Sequence, residues 1–157
     1  MSGTVESIFL AESAGADLKP AEEVRALPGK GLEGDRYARG AGSFSRWPGA
    51  GREVTLIESE VIRDVAERHA LDLGNGRSRR NVVTRGVRLN ALVGKRFRIG
   101  AALFRGHRLA EPCGYLAKRV GDGVQQVLKG RGRLRAEVIE EGVIRVGDAV
   151  VVVADPA

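Results

Sequence analysis

Hydrophobic and polar residues alternate along several short stretches of this chain, and glycines separate these stretches. Residues 4–10 alternate in this way, with Val5, Ser7 and Phe9 predicted on one face of a strand and Ile8 on the other. Further strand-like stretches occur at residues 53–58, 81–106 and 134–153. Many short strands with few helices favour a closed or nearly closed β-barrel in a mainly β (α+β) fold.

Apolar residues recur at helical spacing in only two stretches. Val61 and Val65 follow this spacing within residues 59–71, and Ser59 is the predicted N-cap of the helix. Residues 115–130 predict one broken helix or two short ones. Because strands and helices do not alternate along the whole chain, a doubly wound sheet is not predicted.

A short pattern occurs twice in the second half of the chain. Residues 97–103 and 144–150 both follow the order apolar, Arg, apolar, Gly, any residue, Ala, apolar. The alternation breaks at Gly100 and Gly147, where we predict β-turns or bulges. The first half instead contains a glycine- and proline-rich stretch, residues 15–53, whose second half is predicted to be a long loop.

The composition fits one soluble domain spanning residues 1–157. Hydrophobic residues make up 43% and charged residues 29% of the chain, and with one Trp, two Tyr and four Phe the core must be largely aliphatic. No apolar run approaches the roughly 20 residues that span a bilayer, and no basic region precedes the short apolar run at the N-terminus. A single cysteine forms no intramolecular disulfide. We therefore expect a cytoplasmic protein without a membrane partner.

The chain carries a formal charge of +6 and a sequence pI of about 10.1. This excess favours an anionic partner, namely nucleic acid, an anionic membrane or a phosphorylated small molecule, although a surface that is simply basic has the same composition. Arginine binds phosphate through a planar fork of donors. The strongest candidates lie in turns that contain glycine or asparagine: Lys30, Arg36, Arg80 and Arg85.

Other basic residues, and the acid beside Arg36, are less informative. Asp35 is predicted to form a structural ion pair. A further basic group comprises Lys129, Arg131, Arg133 and Arg135. Neither a P-loop nor the glycine motif of dinucleotide-binding folds is present.

The only cysteine, Cys113, lies between Pro112 and Gly114. A lone cysteine is often an inert small hydrophobe. The flanking residues instead predict a bend just before a helix start, and a helix N-terminus lowers the pKa of a thiol and favours a nucleophile or soft metal ligand. Both interpretations stay open on the residues alone. With His69 predicted on an exposed helix face and His107 a weak candidate to lie near the thiol, a structural zinc site is not predicted.

Five ordered segments together resemble MOSC domains, which are named for the C-terminal domain of molybdenum cofactor sulfurases. They read GKGLEGDRY, REVTLIESEVI, RRNVVTRGVRLNALVGKRFRIGAALFRG, EPC and GRLRAEVIEEGVIRVGDAV. The resemblance covers residues 3–153, so the chain is similar to a stand-alone MOSC protein without further modules.

The resemblance implies a β-barrel-based fold with flanking helices and a molybdenum–pyranopterin cofactor. In members related to amidoxime-reducing proteins the family cysteine is a metal ligand, and Cys113 occupies that position as the implied catalytic and metal-binding residue. Basic and amide residues bind the pterin phosphate and the oxo-metal centre in the family. The corresponding residues here are Lys30, Arg36, Arg80, Asn81, Thr84 and Arg85.

The sequence also departs from the family pattern. Tyr37 stands where a histidine often follows the GDR element, and Arg133 and Glu141 stand where glycines are common. Residues 38–51 form a longer insertion than the resemblance predicts, with a lid over the pocket as one interpretation. These differences concern substrate identity more than fold.

Several functions follow as hypotheses. The preferred one is a reductase of N-hydroxylated compounds that works with a separate electron donor, followed by a sulfur carrier that receives sulfur on Cys113 from a donor protein. A nucleic-acid-binding barrel is a further alternative, against which the aromatic content of 4% argues. The last is a partner-recognition module without chemistry of its own.

Overall fold

Strands dominate the part of the chain that the structure describes. The computed structural model describes residues 2–11, 18–35, 53–74, 78, 80–109 and 133–154. The strands are β1 (Ser2–Leu10), β2 (Lys19–Ala21), β3 (Glu23–Leu27), β4 (Gly31–Leu32), β5 (Val54–Glu58), β6 (Val82–Arg85), β7 (Arg96–Ile99), β8 (Ala102–Leu109), β9 (Arg133–Glu140), β10 (Gly142–Arg145) and β11 (Ala149–Val153). Within these described residues, one α-helix, α1 (Ser59–His69), and one 3₁₀ helix (Leu89–Leu92) accompany the strands. The predicted mainly β fold class is confirmed.

Seven of these strands close into a barrel in the order β1, β6, β5, β9, β8, β7, β11. The first and last strands of this order pair with each other, with Thr4 facing Ala149, so the barrel has no open edge between them. Strands β5 and β6 are the parallel neighbours, because α1 connects them, and the other barrel pairs are antiparallel.

A smaller sheet joins β10, β3 and β4. The first copy of the repeated sequence pattern forms the β7–β8 hairpin, whereas the second connects β10 of this smaller sheet to β11 of the barrel. Gly100, between β7 and β8, has φ +57°, and Gly147, between β10 and β11, has φ +95°, which confirms the predicted turns. An added Cβ at Gly100 would lie 2.9 Å from the carbonyl oxygen of Val143, so the close approach of β10 also favours glycine there.

The barrel interior is filled by aliphatic side chains, as the composition predicts. Leu56 of β5 and Leu134 of β9 face each other there and are fully buried. Phe97 and Phe104 add one aromatic pair, stacked with ring centroids 5.5 Å apart. Burying side chains of this size stabilises a domain by about 1.5–3 kcal/mol each.

A β-bulge in β1 changes which residues face the interior. The register of β1 against β6 shifts between Val5 and Ser7, so one extra residue lies in β1. Val5 and Ile8 therefore share the barrel core, whereas Phe9 packs in a second cluster outside it. The prediction that Val5 and Phe9 lie on one face was wrong, because strict alternation does not survive a bulge.

The helix α1 packs against β5 and β6 through its buried residues Val61 and Val65, at the predicted spacing. The predicted N-cap of this helix, Ser59, is wrong by one residue. Glu58 has the extended conformation of an N-cap, and Ser59 is the first helical residue, with a buried hydroxyl that has no hydrogen-bond partner in the described part of the chain. His69 is exposed, as predicted. Among the described residues, no helix is long and apolar enough to cross a membrane.

Candidate functional site

The outer surface of the barrel carries a buried polar region on β5 and β9. Thr55 faces Arg135 and Ile57 faces Arg133 across this strand pair. Facing residues of antiparallel strands project from the same side of a sheet, and residues two apart in a strand share a face. All four lie opposite the interior leucines of the same strands. We call Thr55, Asn81, Arg133 and Arg135 the polar face.

Asn81 fastens this face to the neighbouring strand β1. Its Nδ2 donates to the carbonyl oxygen of Phe9 at 3.1 Å, and its Oδ1 accepts from the Thr55 backbone N–H at 3.2 Å and from the Thr55 hydroxyl at 3.1 Å. The Asn81 backbone N–H donates to the Thr55 carbonyl at 3.0 Å. Because Asn81 is fully buried, these bonds hold β1, β5 and the start of β6 in fixed positions.

Three arginines are buried in or beside this region. Arg133 is 1% exposed and Arg135 is 6% exposed, although both side chains lie on the outer face of β9. Arg80, which immediately precedes Asn81, is 5% exposed. A guanidinium group stays charged at any physiological pH, and its attraction for an anion is stronger out of water than at an exposed surface.

A carboxylate holds the GKG turn against the start of β5. Glu53 Oε1 accepts the backbone N–H of Gly29 at 3.1 Å and that of Val138 at 3.0 Å. Gly31 approaches so closely that a Cβ would lie 2.3 Å from the Glu53 carbonyl oxygen, and its φ is +120°. This glycine therefore serves close packing of the turn against Glu53. Lys30 is exposed on this turn, and Glu53, which binds the turn, stands two residues before Thr55 of the polar face.

Burial raises the pKa of Glu53 above its ordinary value. The hydrogen bond from Val138 opposes this rise, the charge of Glu137 adds to it, and the bond from Gly29 and the nearby His107 lower the pKa. His107 Nε2 lies 2.9 Å from Glu137 Oε1. Glu53, His107 and Glu137 thus form a cluster of titratable side chains beside Arg135 on β9.

The structure brings together some of the predicted site residues and separates others. Arg80 and Asn81 lie at the polar face, and Lys30 lies near its end. Thr84 and Arg85 lie at the other end of β6, where the first is buried and the second is exposed.

Two further predicted residues, Arg36 and Cys113, lie outside the described residues, as do the insertion at 38–51 and the predicted helix at 115–130. Asp35 is fully buried and makes a structural hydrogen bond, and its predicted ion pair stays a prediction. Its Oδ1 accepts the backbone N–H of Ala11 at 3.0 Å.

Sequence reasoning noticed Arg133 and Arg135 as part of a basic group but did not place them in the site. The available signal was the alternation of residues 133–138, in which Arg, Arg and Glu interleave with Leu, Ala and Val. That alternation shows that the arginines share one face of a strand. Their burial depends on what covers the outside of the barrel, which local sequence does not reveal.

The described residues have donors for an anion and lack a set of metal ligands. Within residues 2–11, 18–35, 53–74, 78, 80–109 and 133–154, no cluster of three or more His, Cys, Asp or Glu could hold a metal ion. Buried arginine and neighbouring amide groups are instead suited to a phosphate or another oxyanion.

Solved structures with low sequence identity share the fold. The YuaD protein from Bacillus subtilis superposes with a TM-score of 0.78 at 17% identity, covering 97% of this chain and 96% of that chain. YiiM from Geobacillus stearothermophilus gives 0.74 at 18% identity, covering 97% of this chain and 75% of the other. YiiM from Escherichia coli gives 0.68 at 21% identity, covering 100% and 72%. A search of curated proteins found no match.

These structures show a shared fold, whereas the sequence profile of one family assigns the chain to that family. The profile described as MOSC domain matches residues 43–151, which is more than half of the chain. The match includes β5 to β10 and all four residues of the polar face. The protein described here belongs to the MOSC domain family.

Proposed function

We propose that this MOSC domain binds a molybdenum–pyranopterin cofactor, with the polar face holding the cofactor phosphate. The observation that carries the proposal is the burial of Arg133 and Arg135 side by side on β9, beside Thr55 and Asn81. Two guanidinium groups fixed on one strand and shielded from water form a strong and pre-organised anion site.

The residues present fit the anionic part of the cofactor. Arg133 and Arg135 would hold the phosphate, and buried Arg80 would add a third positive charge near Asn81. Lys30, exposed on the neighbouring turn, would attract the anion before it reaches the buried groups. Asn81 acts as a positioning residue, since its hydrogen bonds fix the strands that carry these cations.

The metal end of the cofactor requires a soft ligand, which the proposal assigns to Cys113. A thiolate is the preferred ligand for such a metal, and this chain contains one cysteine. When bound, the cofactor would supply a redox-active metal centre. The likeness of the EPC segment to the family pattern supports this assignment, and it stands as a proposal for a residue outside the described part of the chain.

The reaction class that we propose is reduction of an N-hydroxylated compound. Conversion of an N–OH group to N–H releases water and consumes two electrons and two protons. A separate protein would supply the electrons, because the chain contains no recognisable flavin or iron–sulfur motif. In the second form of the proposal, the Cys113 thiolate takes the outer sulfur atom of a persulfide on a donor protein, so that Cys113 becomes the persulfide and the donor is left as a thiol.

Elemental analysis of protein made in a cofactor-competent host tests the proposal. We expect molybdenum and pterin in near-equal amounts in the wild-type protein, a large loss of molybdenum in Cys113→Ser, and loss of both in Arg135→Gln. Cyanide-releasable sulfur, lost in Cys113→Ser, would identify the sulfur carrier instead. If wild type and Cys113→Ser contain equally negligible molybdenum and no such sulfur, both forms of the proposal fail.

A further inference from the structure

An extra residue in β8 places a histidine beside the polar face. Gly106 of β8 faces Ala136 of β9 and Arg108 faces Arg135, so the register shifts by one residue and His107 lies between these two positions. A bulge of this kind sets two residues of one strand against one residue of its partner and redirects a side chain. His107 and Arg108 are therefore both neighbours of Arg135 across the strand pair.

A carboxylate on the same face as Arg135 contacts this histidine. The Nε2 atom of His107 lies 2.9 Å from Glu137 Oε1. Glu137 follows Arg135 by two residues in β9, so the two side chains project to the same side of the sheet. The His107 and Glu137 side chains are 36% and 25% exposed, which allows this pair to exchange protons with solvent. The pair thus combines access to water with a position beside a buried cationic site.

The net charge of the pair depends on the protonation of one ring. When the His107 ring is protonated, its positive charge offsets the negative charge of ionised Glu137. When the ring is neutral, the charge of Glu137 is no longer offset by it and acts against an anion bound at Arg135. Histidine is the side chain that ordinarily changes its charge between about pH 5 and 8. A change of pH in this range therefore changes the charge beside the polar face.

The charged groups described around the pair do not reverse this change. Arg105 faces Glu137 and reduces the effect of its charge in both states of His107. Arginine and lysine also keep their charge over this range of pH. The other cations on the elements next to the pair are Lys30, Lys95, Arg96, Arg108 and Arg135. Glu53 does titrate, and burial raises its pKa. It gains negative charge as the pH rises, so its contribution has the same sign as that of the pair.

We propose that the His107–Glu137 pair makes oxyanion binding at the polar face depend on pH, with tighter binding when His107 is protonated. The inference rests on the proposed function, because it takes the polar face as the anion site. It adds a regulatory role for two residues outside that face. Mild acidity favours uptake of the phosphate-bearing ligand, and higher pH favours its release. By linkage, a bound anion in turn favours the protonated ring.

Sulfate binding to the full chain at low ionic strength tests this dependence. Sulfate is the probe because, unlike phosphate, it stays a dianion over the whole range of pH. We expect isothermal titration calorimetry to give an affinity about fivefold or more higher at about pH 6 than at about pH 8. Arg135→Gln should lose most of the binding at both values. Amide shifts of Thr55, Asn81 and residues 133–137 in the ¹⁵N-labelled protein should locate the bound sulfate at the polar face.

Two variants of the pair should change the affinity in opposite directions. His107→Gln stays neutral beside an ionised carboxylate, so its affinity at about pH 6 should match that of the wild-type protein at about pH 8. Glu137→Gln removes the opposing charge, so its affinity at about pH 8 should equal or exceed that of the wild-type protein at about pH 6. His69→Gln, at the exposed end of α1, is the matched control and should keep the wild-type pH dependence. Circular dichroism confirms that each variant is folded.

The possible failures of this inference and of the proposed function are distinguishable. Equal sulfate affinity at both pH values, with binding still lost in Arg135→Gln, would overturn the pH dependence and leave the anion site in place. A dependence that persists in His107→Gln and disappears in Glu53→Gln would assign it to Glu53 and overturn the role of the pair. Absence of sulfate binding at the polar face at every pH would contradict both the inference and the proposed function.

Discussion

The two sides of β5 and β9 are built from the same strands and differ completely in chemistry. On the inner side, Leu56 faces Leu134 in an aliphatic core. On the outer side, Thr55 faces Arg135, and both are as well buried as many core residues. Burial of apolar side chains stabilises a fold, whereas burial of a guanidinium group carries a desolvation cost. The inner side therefore accounts for stability, whereas the outer side is the one to which we assign ligand binding as a proposal.

The comparison shows how one strand can serve two purposes. Successive side chains of β9 project to opposite faces of the sheet. Leu134 therefore faces the barrel interior, whereas Arg133 and Arg135 on either side of it face outward. A change of register by one residue would exchange the two sides. The bond that Asn81 donates to Phe9 and the one that it accepts from Thr55 hold the strands on the polar side in place.

The largest effect on stability is expected from the inner side. Leu134→Ala should lower the free energy of unfolding by about 2–5 kcal/mol, because it leaves a cavity in a fully packed interior. Urea denaturation followed by circular dichroism measures this change. A loss below about 1 kcal/mol would mean that the interior repacks and that the contrast between the two sides is weaker than proposed.

A smaller loss is expected at Asn81. Asn81→Ala should cost about 1–3 kcal/mol, since it leaves the Phe9 carbonyl and the Thr55 N–H without their buried partner. Thr84→Val is the matched control, because the buried Thr84 hydroxyl has no hydrogen-bond partner among the described residues. The control should change stability by less than about 0.5 kcal/mol or increase it. Equal losses in both variants would argue against the bonding role of Asn81.

The pH dependence of stability should report on Glu53. Burial raises the pKa of Glu53 in the folded state, so the folded protein holds this proton more tightly than the unfolded chain. Its contribution is complete below the unfolded pKa, near 4.5, and is lost as the pH rises through the folded pKa. Glu53→Gln does not titrate, and its amide oxygen can still accept the N–H groups of Gly29 and Val138.

We therefore expect the stability of Glu53→Gln to improve relative to the wild-type protein as the pH rises. Urea denaturation at several values between about pH 4.5 and 8 measures the difference, in which the titration of other groups cancels. Parallel stability curves for the two proteins would contradict the raised pKa.

The smallest effect is expected on the second sheet. Arg145 and Glu23 form an ion pair at 3.2 Å with both side chains more than half exposed. Arg145→Ala should change stability by less than about 1 kcal/mol, because solvent screens an exposed pair. The same denaturation assay checks this value. A larger loss would show that polar groups outside the polar face also contribute substantially to stability.

Local sequence predicted the strands and turns of the fold. It did not predict which residues of a strand face the interior or where the helix begins. Alternation and glycine punctuation predicted the strands and the turns at Gly100 and Gly147. The bulge in β1 was not predictable, because an extra residue such as Glu6 becomes visible only in the pairing with β6. The N-cap was misplaced because Ser59 has a favourable side chain for the role, whereas Glu58 has the required backbone conformation.

The site was predictable in part, and for a physical reason. Turn residues drew attention to Lys30 and Arg80, and the family resemblance implied Asn81. The structure places Arg80 and Asn81 at or beside the polar face and Lys30 on the turn that Glu53 binds. Arg133 and Arg135 were overlooked because their burial depends on tertiary contacts of a strand whose local sequence resembles an exposed one. The role of Cys113 remains a prediction from resemblance.

The most direct measurement of the central claim compares cofactor content across the two sides of β9. Molybdenum and pterin per folded protein should be determined for Arg135→Gln and Leu134→Ala, with folding confirmed by circular dichroism. We expect Arg135→Gln to lose the cofactor while the barrel stays folded, and the less stable Leu134→Ala to keep its content per folded molecule unchanged. Equal cofactor content in both variants and the wild-type protein would contradict the claim that the buried arginines hold the cofactor.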